Sequence, residues 1–206
     1  MDSKQYFDEV AGQWDEMRNV FFPESVREKA FEVSKVESGK IAADIGAGTG
    51  FITEGLIKRG LKVFAVDQSQ EMLGEINRKF NSPFIDCRIG SAEALPLDDN
   101  SVHYAFANMY LHHVESPAAA IKEMVRILKP GGKLIITDLD EHQHEYLIKE
   151  HHDRWKGFKR SDVKKWFIDA GLKDVMVDCA GDKCSCKDAR SSDQISISIF
   201  IASGQK

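Results

Sequence analysis

The hydrophobic positions of this chain alternate between two periods. Short runs rich in β-branched and aromatic residues recur at Ile41 to Ile45, Leu61 to Val66, Phe84 to Ile89, Val102 to Ala107 and Lys133 to Thr137. Runs of this length and composition predict buried strands. Helix-like spacing fills most of the gaps between them. In Pro117 to Leu128, Ile121, Met124, Val125 and Leu128 repeat at i, i+3, i+4 and i+7, and Lys129-Pro130-Gly131-Gly132 then stops the helix. Strands that alternate with helices predict an α/β fold built on a parallel sheet.

Three further segments extend this frame. A helix starting at Pro23 would bury Val26, Ala30 and Val33 ahead of the first strand. Ser161 can cap a helix carrying Val163, Trp166, Phe167 and Ala170 on one face, with Gly171 as its stop. Near the end, Ile195, Ile197, Ile199 and Ile201 alternate with Ser196, Ser198 and Phe200. That strict period of two predicts a strand with unequal faces in an antiparallel pairing.

Composition narrows the class. The 206 residues suit one domain, and 42% hydrophobic with 30% charged residues is ordinary globular usage. A net charge of −5 offers no basic field for a phosphate backbone, so nucleic acid is not an expected partner. Met1 to Val10 is polar and charged without an apolar leader core, and no apolar run approaches the roughly 18 residues of a membrane span. The expectation is a cytoplasmic protein with no membrane partner. Four cysteines are too few for a disulfide scaffold.

The residues with the clearest chemistry follow the first strand. Asp44-Ile45-Gly46-Ala47-Gly48-Thr49-Gly50 implies a strand, a glycine turn and a helix. Glycines there let a nucleotide-type cofactor lie against the backbone at the end of a parallel strand. A dinucleotide turn needs a third glycine three residues after Gly48, where bulky Phe51 stands, so a nicotinamide cofactor is disfavoured. Asp67 closes the next strand, 23 residues after Asp44, where a carboxylate can accept both ribose hydroxyl protons. The competing role for Asp67 is that of a helix N-terminal acid, which Ser69 and Glu71 could also fill.

The spacing D-x-G-x-G-x-G resembles motif I of the class I S-adenosylmethionine (SAM)-dependent methyltransferases. Gly90-Ser91-Ala92-Glu93-Ala94-Leu95-Pro96-Leu97 is similar to that family's segment beside the adenine, with Ser91 where an aspartate is usual. Leu111-His112-His113 and Arg126-Ile127-Leu128-Lys129-Pro130-Gly131-Gly132 resemble two more of its signatures. Tyr6-Phe7-Asp8 through Trp14-Asp15 looks like the aromatic lid of the quinone-biosynthesis branch.

The resemblance implies a Rossmann-like, doubly wound, mostly parallel sheet with a C-terminal antiparallel strand and an N-terminal helical lid. It implies SAM as cofactor, with Asp44 toward its methionine end, Gly46, Gly48 and Gly50 beneath it, Asp67 on the ribose, and Gln68, Met72, Ser91, Ala92, Glu93 and Asn108 around the adenosine. One domain is then expected, with residues 1–38 as lid, 39–140 as the SAM-binding core and 141–206 carrying substrate-side helices and terminal strands.

A SAM sulfonium is already an activated donor, so alignment and exclusion of water are the main demands. Where the acceptor must lose a proton, His112 or His113 is the expected base, the alternative being that one of them packs structurally. Asn108-Met109-Tyr110 lacks the prolines of base-amine methylases and no Pro-Cys pair exists, which favours a small-molecule acceptor. His142, His144, His151 and His152, with Cys179, Cys184 and Cys186 beyond, have no paired C-x-x-C spacing. They read as a charged surface helix and a polar loop, or else Cys184 and Cys186 hold a metal or a thiophilic acceptor such as arsenite, by loose similarity to arsenite methyltransferases. The stretch Asp138 to Phe158 also looks like methyltransferase domains fused to metal-responsive repressors. A SAM-binding regulator without turnover is the reading from a different class.

Overall fold

In the computed structural model, residues 3–187 and 194–206 are described, and the side chains of 20, 146, 150 and 182–195 are not. Seven strands form one sheet: β1 (Ile41–Ile45), β2 (Lys62–Asp67), β3 (Ile85–Ile89), β4 (Val102–Asn108), β5 (Leu128–Leu139), β6 (Lys173–Lys187) and β7 (Gln194–Gln205). Their order is β3-β2-β1-β4-β5-β7-β6. The pairs among β1 to β5 are all parallel, and β7 runs antiparallel between β5 and β6. The predicted mostly parallel α/β sheet and its antiparallel C-terminal strand are both observed.

Helices cover both faces of the sheet. On one side α3 (Glu24–Ser34) and α4 (Phe51–Lys58) bury Val26, Ala30, Phe31, Ile52 and Leu56 against Ala42, Phe106, Ile199 and Ile201. On the other, α6 (Pro117–Ile127) and α8 (Arg160–Asp169) bury Ile121, Met124, Val125, Val163 and Phe167 against Ala43, Ala105 and Phe200. Each fully buried side chain of this size contributes about 1.5–3 kcal/mol relative to exposure. α5 (Gln70–Phe80) adds Leu73 and Ile76, with Ser69 capping it through a bond from the Met72 N–H at 3.1 Å.

The expectations needed adjusting in four places. Ser161 does not cap α8, because the helix begins at Arg160 with Lys159 at its N-cap. Arg160 is fixed there by bonds of 2.8 and 2.6 Å to the two oxygens of Asp140, which sets the first helical residue. Val33 is half-buried, whereas Phe31 and Arg27 on the same helix are buried. Lys129 to Gly132 ends α6 as expected but lies within β5 as an irregular start, where the register shifts between Val102 and Tyr104 and Gly131 takes φ +80°. The region of Cys179 is strand β6 rather than a polar loop. It pairs only with β7, and a charge-rich strand at a sheet edge lacks the alternation that would reveal it.

Ahead of the sheet, α1 (Ser3–Val10), a single 3₁₀ turn over Ala11–Gln13 and α2 (Trp14–Phe21) lead into α3. They lie over the C-terminal ends of β1, β2 and β4. Strand order reverses between β1 and β4, and in an open α/β sheet the crevice at such a reversal is where ligands bind.

Candidate active site at the sheet reversal

The floor of the crevice is the turn after β1. The N–H groups of Gly46 and Ala47 both donate to the Val66 carbonyl, at 2.9 and 3.1 Å, tying the turn to β2. Gly46 and Gly48 have φ of +69° and +52°, a region that suits glycine. Asp44 is buried and accepts from the Thr53 N–H at 2.9 Å and the Thr53 hydroxyl at 2.7 Å, which anchors the start of α4. Burial raises its pKa to about 7, against the opposing pull of the Thr53 bonds. Asp67, at the end of β2, accepts from the Gly48 N–H at 2.8 Å and the Ser69 N–H at 2.9 Å. Burial pushes its pKa up as well. Each of its oxygens keeps a further lone pair for a ligand hydroxyl.

The wall comes from the end of β4 and the segment after β3. Met109 adopts φ +51°, and this turn sends the next side chain, Tyr110, back across the glycine floor. A Cβ on Gly46 would stand 2.2 Å from the Tyr110 ring. The Tyr110 hydroxyl bonds the Gln68 side chain and the Ala92 backbone, and its enclosure pushes its pKa well above the ordinary phenol value. Glu93 binds the Ser91 hydroxyl and accepts from the Glu115 and Ser116 N–H groups at 3.0 and 3.3 Å, so it braces the start of α6. Despite its partial burial, those bonds hold its carboxyl below the usual range. Asn108 accepts from the Thr137 hydroxyl at 2.7 Å.

The cover is aromatic. Phe7 of α1 meets the Trp14 ring at 5.2 Å and the His113 ring at 5.0 Å, both edge to face. Trp14 stands over Gly48, its Nε1 3.5 Å from where a Cβ would be. Arg18, 7% exposed, lies over the Phe51 ring at 4.2 Å. Together floor, wall and cover enclose a cavity of about 670 Å³, within the roughly 300–1,000 Å³ typical of small-ligand sites.

Of the residues singled out from sequence, Asp44, Gly46, Gly48, Asp67, Gln68, Met72, Ser91, Glu93, Asn108 and His113 line this cavity. Gly50, Ala92 and His112 do not. Gly50 faces α5, where a Cβ would meet Phe80 at 2.7 Å, so it is a packing glycine. Ala92 is 1% exposed and offers only its backbone. His112 lies behind His113, with Nδ1 2.6 Å from Asp138 Oδ1. Burial would lower its pKa, but the Asp138 and Asp153 carboxylates outweigh that and push it to about 9. His113 is held well below the ordinary histidine value by burial and by the His112 charge. The side chains of Cys184 and Cys186 lie outside the described residues.

Sequence reasoning gave no role to Arg18, Tyr110, Arg154 or Asp153. Arg18 and Arg154 reach the cavity wall from segments far apart in sequence, and no local spacing announces either. Among the described residues, no helix is long and apolar enough to cross a membrane.

Comparison with known proteins agrees with this geometry. Residues 43–136 match the family model described as a methyltransferase domain. An uncharacterised methyltransferase of Mycobacterium bovis is 46% identical over 91 residues, covering 44% of this chain and 36% of that protein. The demethylmenaquinone methyltransferase of Renibacterium salmoninarum is 36% identical over 135 residues, covering 64% of this chain and 56% of its own length. The chain thus spans only about a third to a half of the relatives it matches. Among solved structures, the chain paired with the Trm112 methyltransferase activator in a Haloferax volcanii complex superposes with a TM-score of 0.79 at 21% identity, over 97% of this chain and 96% of that one. A SAM-dependent methyltransferase of Aquifex aeolicus gives a TM-score of 0.67 at 19% identity, over 93% and 97%. Sheet order, glycine turn and relatives agree in likening the chain to the class I SAM-dependent methyltransferases, with the methyltransferase-domain match running over residues 43–136.

Proposed function

We propose that this chain transfers the methyl group of SAM to a small-molecule acceptor held between the glycine floor and the N-terminal helices. The observation that carries the reading is one cavity lined both by Gly46, Gly48 and Asp67 and by Phe7, His113 and Arg154. The first group fits the cofactor: two positive-φ glycines leave the backbone open, and Asp67 is oriented by backbone N–H groups. Bound there, SAM supplies a methyl carbon already activated by its sulfonium.

The chain's own residues then have three tasks. Asp67 binds ribose hydroxyls, and Asp44, also on the cavity lining, offers a carboxylate toward an ammonium group. Phe7 and Trp14 exclude water from the space above the floor. Of the two histidines it is His113, on the cavity wall, that meets the acceptor, while His112 is committed to Asp138 behind it. On this reading residues 1–38 act as lid, 39–140 hold the cofactor and 141–206 contribute to the acceptor side through Arg154. The low net charge and the enclosed cavity favour a small molecule over a nucleic acid.

The test is incubation of the purified chain with methyl-labelled SAM and a small-molecule cell extract supplemented with arsenite, followed by mass detection. A labelled small product is expected, and its structure identifies the acceptor atom. Bound SAM with no label transferred to any small molecule would overturn the proposal.

A further inference from the structure

Behind the cavity wall, three side chains from two distant segments converge. The 3₁₀ turn Leu111–His113 supplies both imidazoles, and the segment after α7 (Glu145–Glu150) supplies Asp153. His112 Nε2 is 3.7 Å and His113 Nδ1 3.8 Å from the same oxygen of Asp153, Oδ1. All three donor atoms lie within 4.8 Å of one another. The side chains are 6%, 9% and 4% exposed respectively. We propose that His112, His113 and Asp153 form a binding site for one divalent cation of the zinc type.

Hydrogen bonding inside the cluster leaves these atoms unexplained. The 3.7 and 3.8 Å separations are beyond a hydrogen bond. His113 Nδ1 is buried and has no hydrogen-bond partner among the described residues. A protonated His112 bridging Asp138 and Asp153 would account for His112 alone and leave His113 Nδ1 facing a carboxylate with nothing between them. A cation bound at about 2.0–2.2 Å from each donor in tetrahedral geometry needs donors roughly 3.4 Å apart. The two nitrogen-to-oxygen separations exceed that spacing by about 0.3 to 0.4 Å.

The surrounding groups hold the donors in the required form. Nδ1 of His112 is bonded to Asp138 Oδ1 at 2.6 Å, which turns Nε2 toward Asp153. Asp138 is itself fixed by the Leu139 N–H at 2.7 Å. The His113 ring also interacts with the His152 backbone. A carboxylate or a carbonyl on the far nitrogen is the usual setting of a metal-binding histidine. The two segments are clamped together, since the His112 carbonyl accepts from the Arg154 and Trp155 N–H groups at 3.0 and 3.1 Å. Two imidazoles and one carboxylate suit zinc and its first-row neighbours better than calcium or magnesium. Three protein donors leave a fourth position, and His113 places the cluster on the cavity wall. Water, or an oxygen, nitrogen or sulfur atom of a molecule in the cavity, would complete the set.

The experiment uses the full chain, stripped by dialysis against a chelator and titrated with zinc chloride while the imidazole nitrogens are followed by long-range ¹H–¹⁵N NMR. One cation per chain is expected, with the largest shifts on Nε2 of His112 and Nδ1 of His113. Asp153→Asn and His113→Gln should each weaken binding at least about tenfold. Replacing Cys179, Cys184 and Cys186 together by serine should leave the affinity unchanged. Unmoved His112 and His113 nitrogens at saturating zinc would overturn the proposal even if a variant failed to fold. So would binding that disappears with the cysteines.

Discussion

The Asp15 carboxylate accepts the Thr49 hydroxyl at 2.6 Å on one oxygen and the Lys79 ammonium at 2.7 Å on the other. One residue at the start of α2 is thus tied to the glycine turn and to the end of α5. α1 has no buried residue, and these two bonds, with the Tyr6 contact to His151 and the burial of Ala11 and Arg18, hold the aromatic cover down. Asp15→Ala is expected to speed SAM dissociation about five- to tenfold, corresponding to about 1 kcal/mol for half-exposed charge-assisted bonds. Asp15→Asn, which keeps the Thr49 bond, should fall between. Stopped-flow release of a fluorescent SAM analogue measures both.

Tyr110 and Gly46 are expected to be strongly coupled. A Cβ at residue 46 meets the Tyr110 ring atoms at 2.2 and 2.3 Å, and the backbone there has φ +69°. Gly46→Ala should destabilise the chain by about 2–4 kcal/mol through overpacking and backbone strain. Adding Tyr110→Ala removes the clash but not the strain, so the double variant should regain part of that loss relative to the sum of the single changes. Urea denaturation of all four proteins gives the coupling, and strict additivity would contradict the contact.

Asp67→Ala should weaken SAM binding about 30- to 100-fold, the loss of two charge-assisted bonds to ribose hydroxyls. Stability should change far less than binding, because burying the Asp67 charge already costs part of what its two backbone bonds return. Titration calorimetry with SAM, beside thermal melts without it, separates the two effects.

Asp44 sets a pH dependence. Its folded pKa of about 7 lies above the ordinary carboxylate value of 3.8, so between these pH values the folded chain binds a proton that the unfolded chain does not. Stability from this group is therefore full below about pH 4 and declines as pH rises through 7, by roughly 4 kcal/mol. Asp44→Asn retains an acceptor for Thr53 without the charge. The variant should match the original chain near pH 3.5 and exceed it in stability at pH 8.5, as read from urea midpoints without SAM.

Much of this arrangement is legible because it is local. The runs at Ile41, Leu61 and Val102 have the length and branching of buried strands, and Asp44, Gly46, Gly48 and Asp67 fall at strand ends, where chain order alone places them at the crevice. Gly50 shows where spacing misleads, since a glycine repeat cannot distinguish a residue under a ligand from one under Phe80. Asp153 shows what spacing omits. It meets His112 and His113 across about 40 residues of chain, a distance bridged by the backbone clamp at the His112 carbonyl and by the Trp155 indole N–H on the Val114 carbonyl. Ser161 has the right residue type for a cap two positions too late, because the Arg160 ion pair with Asp140 outweighs a capping preference.

The place of β7 between β5 and β6 bears on the order in which the molecule can assemble. During synthesis β5 emerges long before β7, and until β7 arrives the outer edge of β5 has no strand beside it and β6 has no partner at all. The cofactor end of the crevice needs neither of them. β1, β2 and β4, with the glycine turn and Asp67, are complete once residue 108 has left the ribosome, whereas docking β6 requires a late, long-range pairing. A nascent chain arrested between these stages would carry a nearly finished nucleotide floor beside an unpaired strand edge, the kind of surface that recruits chaperones.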